Sequence, residues 1–375
     1  MKGATLRRKI VESLRSQGFS LRHGRILSEH ESDKETIRAL HTVAVLHKKD
    51  KAKKNLKRYE DDLLASFANG SEVKPMDLEP LLVQVQPDSY DELLFRYAAL
   101  HWRIPVSSGY GRRLRFLVKD RSNQKLVGII GLGDPVFALG ARDHWIGWDR
   151  NARIARLRNV MDAFVLGALP PYSSLLCGKL VAMLVASNEV RDAFRKKYNQ
   201  RIGLISEEES DGRLALVTTM SALGRSSLYN RLKVGDELLF RSLGYSLGSG
   251  EFHFSNGLYQ SIFDYANRYC TWSAKNDKWG SGPRNKREVI RKCLRKIKLD
   301  PDLVYHGVKR EMYVVPLAKN AREFLRGEQN RLNWFSYSTA DLFDWFRTRW
   351  LLPRAARMPE FANFNRESLR LWREE

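Results

Sequence analysis

A dense group of side chains suited to chemistry lies between two apolar runs, 126–132 and 161–169. One arginine, one aspartate and two tryptophans stand within seven positions: Arg142, Asp143, Trp145 and Trp148. Tryptophan is costly to leave in water, and an arginine–aspartate pair is costly to bury. This density predicts either a tightly packed structural corner or a lined binding site.

Two residues are candidates for a catalytic pair, Asp143 and Lys179. Each stands in a glycine-flanked motif beside a predicted strand end or helix start, where α/β proteins place ligands. Asp143 has an alternative role as the partner of Arg142 or Arg150 in a structural ion pair. The sequence leaves open whether the chain is an enzyme.

Metal-dependent nuclease chemistry is the enzymatic alternative, because it needs two or three carboxylates, usually with a lysine, around a divalent cation. The candidate carboxylates are Asp134, Asp143 and Asp149, with Lys179 near them in the predicted fold. Their spacing matches no nuclease motif. No cofactor is expected otherwise, and no set of metal ligands is recognised.

Hydroxyl and guanidinium groups follow a predicted strand in the segment LVTTMSALGRSSLYNRL. Arg225 and Arg231 stand there among serines and threonines, an arrangement that favours contact with phosphate. In the alternative interpretation, Ser226 or Ser227 is the N-cap of a short helix over 228–233. Both interpretations can hold together, since a helix N-terminus is itself an anion site.

A second basic segment, 280–298, contains eight Lys or Arg residues against one Glu. Its candidate phosphate contacts are Arg284, Lys286, Arg287 and Arg291. Apolar residues recur at helical spacing, which predicts a helix with one face docked and the other charged. Further on, Phe343, Phe346 and Trp350 follow helical spacing typical of packing, and neighbouring arginines such as Arg349 keep a nucleic-acid role open.

The overall charge indicates a polyanionic partner, most simply DNA. The 375 residues include 65 Lys or Arg and 43 Asp or Glu, a formal charge of +22. The alternative is that this charge only aids solubility. No apolar run reaches 18 residues, so no membrane partner is expected. Three widely spaced cysteines favour a reducing cytoplasm, and no P-loop is present for ATP hydrolysis.

The chain divides into three predicted parts: a helical basic region over 1–85, a mixed α/β core over 86–275, and a basic, aromatic-rich helical region over 276–375. Three prolines indicate a linker near the first boundary: Pro75, Pro80 and Pro87. Core strands are predicted at 114–119, 126–132, 161–169, 202–206, 213–220 and 240–247. Buried or amphipathic helices are predicted at 90–102, 150–159, 174–187 and 188–198. The predicted fold is a central mixed sheet with helical additions at both ends.

The order of core elements is similar to that of an N-acetyltransferase-like fold, which holds a pyrophosphate on amides at a helix N-terminus. The matching position here is 171–175, which leads into the helix that carries Gly178 and Lys179. That fold family has spaced glycines there, whereas this chain offers only Gly178 within LLCGKL. Acetyl transfer is therefore not expected.

Long motifs carry a stronger resemblance: the tract 126–179, the segment 216–232, GSGEFHF (248–254) and WGSGPRNKREVIRKCL (279–294). Together they resemble the Druantia DruA family of bacterial anti-phage defence. That resemblance implies a defence role with a large helicase and other Druantia proteins as partners. The expected activity is nucleic-acid binding. The alternatives are the metal-dependent nuclease and an interaction scaffold.

Overall fold

The computed structural model describes residues 1–22, 25–26, 33–109, 111–203, 209–271 and 283–372, without the side chains of Pro283 and Arg284. The strands are β1 (Leu21–Arg22), β2 (Arg25–Ile26), β3 (Pro80–Gln84), β4 (Arg113–Asp120), β5 (Leu126–Gly133), β6 (Val160–Ala168), β7 (Leu216–Met220), β8 (Lys233–Val234), β9 (Glu237–Leu238), β10 (Arg241–Tyr245) and β11 (Glu311–Pro316). Seven of them form one sheet in the order β10-β11-β7-β6-β5-β4-β3.

The α-helices are α1 (Gly3–Ser16), α2 (Lys34–Leu56), α3 (Glu60–Ala65), α4 (Tyr90–Ala98), α5 (Gly140–Ile146), α6 (Arg150–Arg156), α7 (Cys177–Leu184), α8 (Asn188–Tyr198), α9 (Leu258–Tyr269), α10 (Pro283–Lys296), α11 (Ala321–Arg326), α12 (Thr339–Phe346) and α13 (Leu352–Arg357). Across the described residues, every helix is too short or too polar to span a bilayer. A π-helical turn, Arg347–Leu351, joins α12 to α13.

The sheet is mixed. Strands β6 and β7 run parallel, whereas the other pairings of the described sheet are antiparallel. The predicted mixed α/β class is therefore confirmed. The more specific N-acetyltransferase-like assignment stays a prediction.

The prediction of a linker around Pro80 was wrong, because Pro80–Gln84 is the edge strand β3, paired with β4. Proline is tolerated at the first position of an edge strand, since its missing N–H is not needed there. Strand β11 was not predicted from the sequence, although all six of its residues are buried and it lies between β7 and β10 in the sheet. A short apolar run at 312–315 gave no alternation to identify it.

Two smaller elements also differ from expectation. The residues after Ser226 form a hydrogen-bonded turn where a helix over 228–233 was predicted. Of the strand predicted at 202–206, Ile202 forms an isolated bridge with Glu209, and 204–206 lie outside the described residues. Helix α8 spans the predicted residues.

Four apolar clusters hold these elements together. One packs α7, α8 and α12 on one sheet face, and two others cover the opposite face. The fourth joins α1 and the start of α2 to α9 and α10, and thereby unites residues from all three predicted parts. No observation tests the boundaries at 85 and 275, which stay predictions.

Candidate nucleic-acid interface

The parallel pair creates an edge where two connections leave the sheet together. β6 and β7 are paired from Val160 opposite Leu216 to Ala163 opposite Thr219. Beyond these pairs, β6 continues toward α7 and β7 enters the loop 221–232. Because the carboxyl ends of parallel strands meet at one edge, side chains that follow both strands are brought together there.

Lys179 connects the first turn of α7 to this loop. Its Nζ donates to the carbonyl oxygen of Leu228 at 3.3 Å and lies 5.4 Å from the centre of the Trp350 ring. Partial burial lowers the pKa of Lys179, and the charge of Arg349 lowers it further. Arg349 lies 5.4 Å from the same ring. Lys179 thus contacts two segments that are distant from it in sequence, the loop after β7 and the turn that carries Arg349 and Trp350.

The loop after β7 is held by a buried carboxylate. Ser226 Oγ accepts from the amides of Leu228 and Tyr229 at 3.2 and 3.1 Å, which fixes the turn. Glu311, on β11 and 7% exposed, accepts from the Ser226 amide at 3.3 Å and from Ser242 Oγ at 2.8 Å. The loop backbone is thus anchored to the sheet.

Arg225 and Arg231 flank this anchored turn, and both are exposed. We call the following five residues the edge surface: Lys179, Arg225, Arg231, Arg349 and Trp350. Within the described residues, none of its four cations forms an ion pair. Uncompensated cations on a protein surface suit a phosphate chain.

The backbone before α7 does not supply the amide cradle that an N-acetyltransferase-like site would need. Its amides already donate within the turn, those of Ser173, Ser174 and Leu175 to carbonyls of residues 169–172. A Cβ at Gly178 would lie 3.0 Å from Leu228, so the loop closes over this position. Side-chain cations, and not free amides, are what the edge presents.

Asp143 lies in a different environment, a ring of donors. Its carboxylate accepts from Arg142 Nη2 at 2.7 Å, Trp148 Nε1 at 3.0 Å and Arg153 Nη1 at 3.1 Å, and also from the Leu139 amide. Arg142 is fully buried. In the described chain, Asp143 and Lys179 share no contact, so the two candidates do not form a pair.

The other nuclease candidates have local structural partners. Asp134 Oδ1 pairs with Arg112 Nε at 2.6 Å. Asp149 caps α6 by accepting from the Ala152 amide at 2.7 Å. Among the described residues, no group of three or more His, Cys, Asp or Glu side chains is arranged to hold a metal ion. The geometry thus offers no support for the metal-dependent nuclease.

The predicted contacts on α10 are less available than its composition indicates. Arg291 Nη2 pairs with Asp302 at 3.2 Å, and Lys286 Nζ lies 5.7 Å from the Tyr259 ring. Arg287 is half-buried, and the side chain of Arg284 lies outside the described structure. More exposed cations follow near the end of the helix: Arg295, Lys296 and Lys298.

The sequence indicated Lys179 as half of a catalytic pair and Arg225 and Arg231 as phosphate contacts, without any sign that the three belong to one surface. The aromatic run was predicted to pack, which is confirmed for Phe343 and Phe346, at 6% and 0% exposure. Trp350 packs against the same cluster, 6.2 Å from the ring of Phe346, and its half-buried ring also lies 5.4 Å from both Lys179 and Arg349. The two arginines that precede a tryptophan in RTRW (347–350) were the available signal. Nothing in the sequence pointed to Glu311.

Comparisons with known proteins agree on one family. A family model described as Druantia protein DruA matches residues 31–327. A Druantia protein DruA from Escherichia coli (strain UMEA 4076-1) is 39% identical over 374 residues, a match that covers 100% of this chain and 91% of the relative. No solved structure matches the chain.

Proposed function

Since the chain belongs to the Druantia protein DruA family and is a component of that anti-phage defence system, we propose that it binds nucleic acid through the edge surface. The observation that supports this most directly is the group of four cations without carboxylate partners, two of which, Lys179 and Arg349, lie 5.4 Å from the centre of the Trp350 ring. An unpaired cation at a protein surface releases counterions from a phosphate chain when it binds. The same cation in an ion pair would have to break that pair first.

DNA is the proposed nucleic acid, and other Druantia proteins, including a large helicase, are the proposed partners. This assignment rests on the family and on the formal charge of +22. Backbone contacts of this kind carry no base information, so binding is expected to depend little on sequence. The proposed location is the cytoplasm, consistent with three free cysteines.

The α10 residues Arg284, Lys286, Arg287 and Arg291 are proposed as a second contact. Those whose side chains are described are partly buried, and Arg291 is compensated by Asp302. Their contribution to affinity is therefore smaller than that of the edge surface.

Fluorescence anisotropy on a labelled 20-base-pair duplex tests the proposal. Arg225→Glu with Arg231→Glu is expected to weaken binding by about tenfold or more, because two phosphate contacts become repulsive. The slope of log affinity against log salt should fall by about two, one for each arginine that no longer neutralises a phosphate.

The matched control changes two exposed cations on α8 that form no ion pair among the described residues, Arg195→Glu with Lys196→Glu. This control has the same net charge as the test variant, and its affinity should fall by less than about threefold. An equal decrease in the affinity of both variants would show that the effect comes from overall charge and not from the positions of Arg225 and Arg231. A parent that does not bind DNA, but captures other Druantia proteins, would favour the scaffold.

A separate assay addresses the nuclease alternative. The parent is incubated with duplex DNA and Mg²⁺ or Mn²⁺, and products are resolved on a denaturing gel. We expect no cleavage, because Asp134, Asp143 and Asp149 each have separate structural partners. Cleavage that disappears in Asp143→Asn, in protein that remains folded, would establish the nuclease.

A further inference from the structure

A groove of about 630 Å³ lies on the molecule apart from the edge surface. It is bounded by the middle of α2, by the 3-10 turn Ala99–His101 and by the C-terminal segment 368–371. Its volume is within the range of roughly 300–1,000 Å³ that ligand sites occupy. None of its described lining residues belongs to the edge surface or to α10.

Trp102 provides a rigid aromatic surface in this groove. A Cβ at Gly167 would lie 2.6 Å from the six-membered ring of Trp102, so the indole packs directly on the backbone of β6. Trp102 remains partly exposed on the groove side, and Leu46, opposite on α2, is 59% exposed. Because residue 167 is a glycine, the indole ring can pack against the sheet at this position.

The C-terminal wall is held in place by hydrogen bonds to buried groups. His101 lies 2.8 Å from the carbonyl oxygen of Leu369 through Nε2. Glu60, 3% exposed, accepts from the amide of Leu371 at 2.7 Å. Trp372 follows and is 8% exposed. Hydrogen bonds within the chain therefore fix this wall of the groove.

Two of the basic side chains that line the groove have no acidic partner. Arg38 pairs with Glu35, and Arg370 pairs with Asp61 and Glu367. The remaining two cations, Lys49 and Arg103, form no ion pair within the described chain, and Arg103 is exposed. One aromatic surface and two uncompensated cations therefore face the same cavity.

We propose that this groove binds one unpaired nucleotide, with its base against Trp102 and its phosphate on Lys49 and Arg103. A base stacks on an aromatic side chain whatever its identity, whereas a base in a duplex must first be taken out of the stack. The inference rests on the proposed nucleic-acid binding and makes it specific. The groove favours a single strand, and the edge surface contacts the phosphate chain of either form.

The test compares single-stranded (dT)10, a 10-base-pair duplex and free dTMP by fluorescence anisotropy and equilibrium dialysis. Lys49→Gln with Arg103→Gln is expected to weaken (dT)10 binding by about tenfold, and duplex binding by less than about threefold. Trp102→Ala should act in the same direction, and Trp102→Phe should retain most of the affinity. Circular dichroism confirms that each variant is folded.

The matched control removes two exposed cations from the same helix, Lys53→Gln with Lys54→Gln. The groove assignment would be overturned if the Lys49/Arg103 variant kept its (dT)10 affinity, or if the control lost as much affinity as that variant. Duplex binding by the parent would still support the proposed function in that case. If no strand binds but dTMP does, with weaker binding in the Lys49/Arg103 variant, the groove is a site for a free nucleotide and the proposed function fails. If neither strands nor dTMP bind, both are refuted.

Discussion

The Arg142–Asp143 cluster and the edge surface are both rich in arginine and aromatic residues, yet they differ in how their charges are compensated. In the cluster, a fully buried guanidinium and a carboxylate with 14% exposure satisfy each other, and Trp148 and Arg153 complete the set. At the edge surface, four cations have no carboxylate among their described partners, and two of them, Lys179 and Arg349, lie beside the half-buried Trp350.

This difference separates a structural motif from the proposed binding surface. A buried charge must be paired, and removing one partner leaves the other desolvated without compensation. An exposed, unpaired cation carries no such penalty and keeps its charge for a ligand. Residue types therefore do not decide function here, whereas the position of the carboxylates does.

The largest expected effect comes from breaking the buried pair. Asp143→Asn removes the charge that compensates Arg142 and should lower the free energy of unfolding by about 3–5 kcal/mol. Urea unfolding measures the change. Asp149→Asn is the matched control, because asparagine caps a helix about as well as aspartate and should change little. An Asp143→Asn variant of parental stability that no longer supports phage defence would place Asp143 in a functional site and remove the contrast.

The pH dependence of stability tests an intermediate case, in which a partly buried cation, Arg310, is held by a neutral histidine. Arg310 Nη2 donates to His41 Nε2 at 2.9 Å, and His41 and His253 are fully buried. Burial lowers the pKa of His41 and of His253 to about 4, and neighbouring positive charges contribute. Both rings are thus neutral in the folded protein at pH 6. In the unfolded chain, each ring is half protonated at about pH 6.5, the ordinary pKa of histidine.

The unfolded state therefore binds more protons between pH 6.5 and 4, and stability is lost as the pH falls through this window. The decrease should approach about 1.4 kcal/mol per histidine for each pH unit. Chemical unfolding at pH 7, 6 and 5 measures it. His41→Gln, which can still donate to Ile37 and accept from Arg310, should reduce the pH dependence by about one proton. An unchanged dependence would show that His41 does not contribute.

The smallest effect on stability and on DNA affinity is expected at α10. Its partly exposed pair, Arg291 and Asp302, is neither buried like Arg142–Asp143 nor uncompensated like the edge surface. Arg291→Gln breaks a partly exposed bridge to Asp302 and should cost less than about 1 kcal/mol. DNA affinity should change by less than about threefold, because this arginine is already compensated. Lys298→Gln, an exposed neighbour, is the control. A decrease in Arg291→Gln as large as that in Arg225→Glu with Arg231→Glu would make α10 an equal contact surface.

Local patterns predicted most of the sheet. The apolar runs at 126–132 and 161–169 correspond to β5 and β6, and Asn188–Tyr198 is a helix as its four-residue spacing indicated. The alternative of a tightly packed corner around Trp145 and Trp148 is confirmed for Trp148, which is 8% exposed, whereas Trp145 is only partly buried. These features depend on neighbours in sequence, for which periodicity is informative. Strand β3 was not predicted because it begins with a proline, and β11 was not predicted because its short, uniformly apolar run shows no alternation.

The sequence by itself determined the family, the mixed α/β class, the excess positive charge and the residue types available for phosphate contact. Only the tertiary structure decided which charges stay unpaired. Arg291 and Asp302 are eleven residues apart and pair, whereas Lys179 and Arg349 lie 170 residues apart and meet at one tryptophan without an acid. The physical reason is that compensation depends on distance in space, and the packing of α12 against α7 brings Lys179 and Arg349 to the same ring.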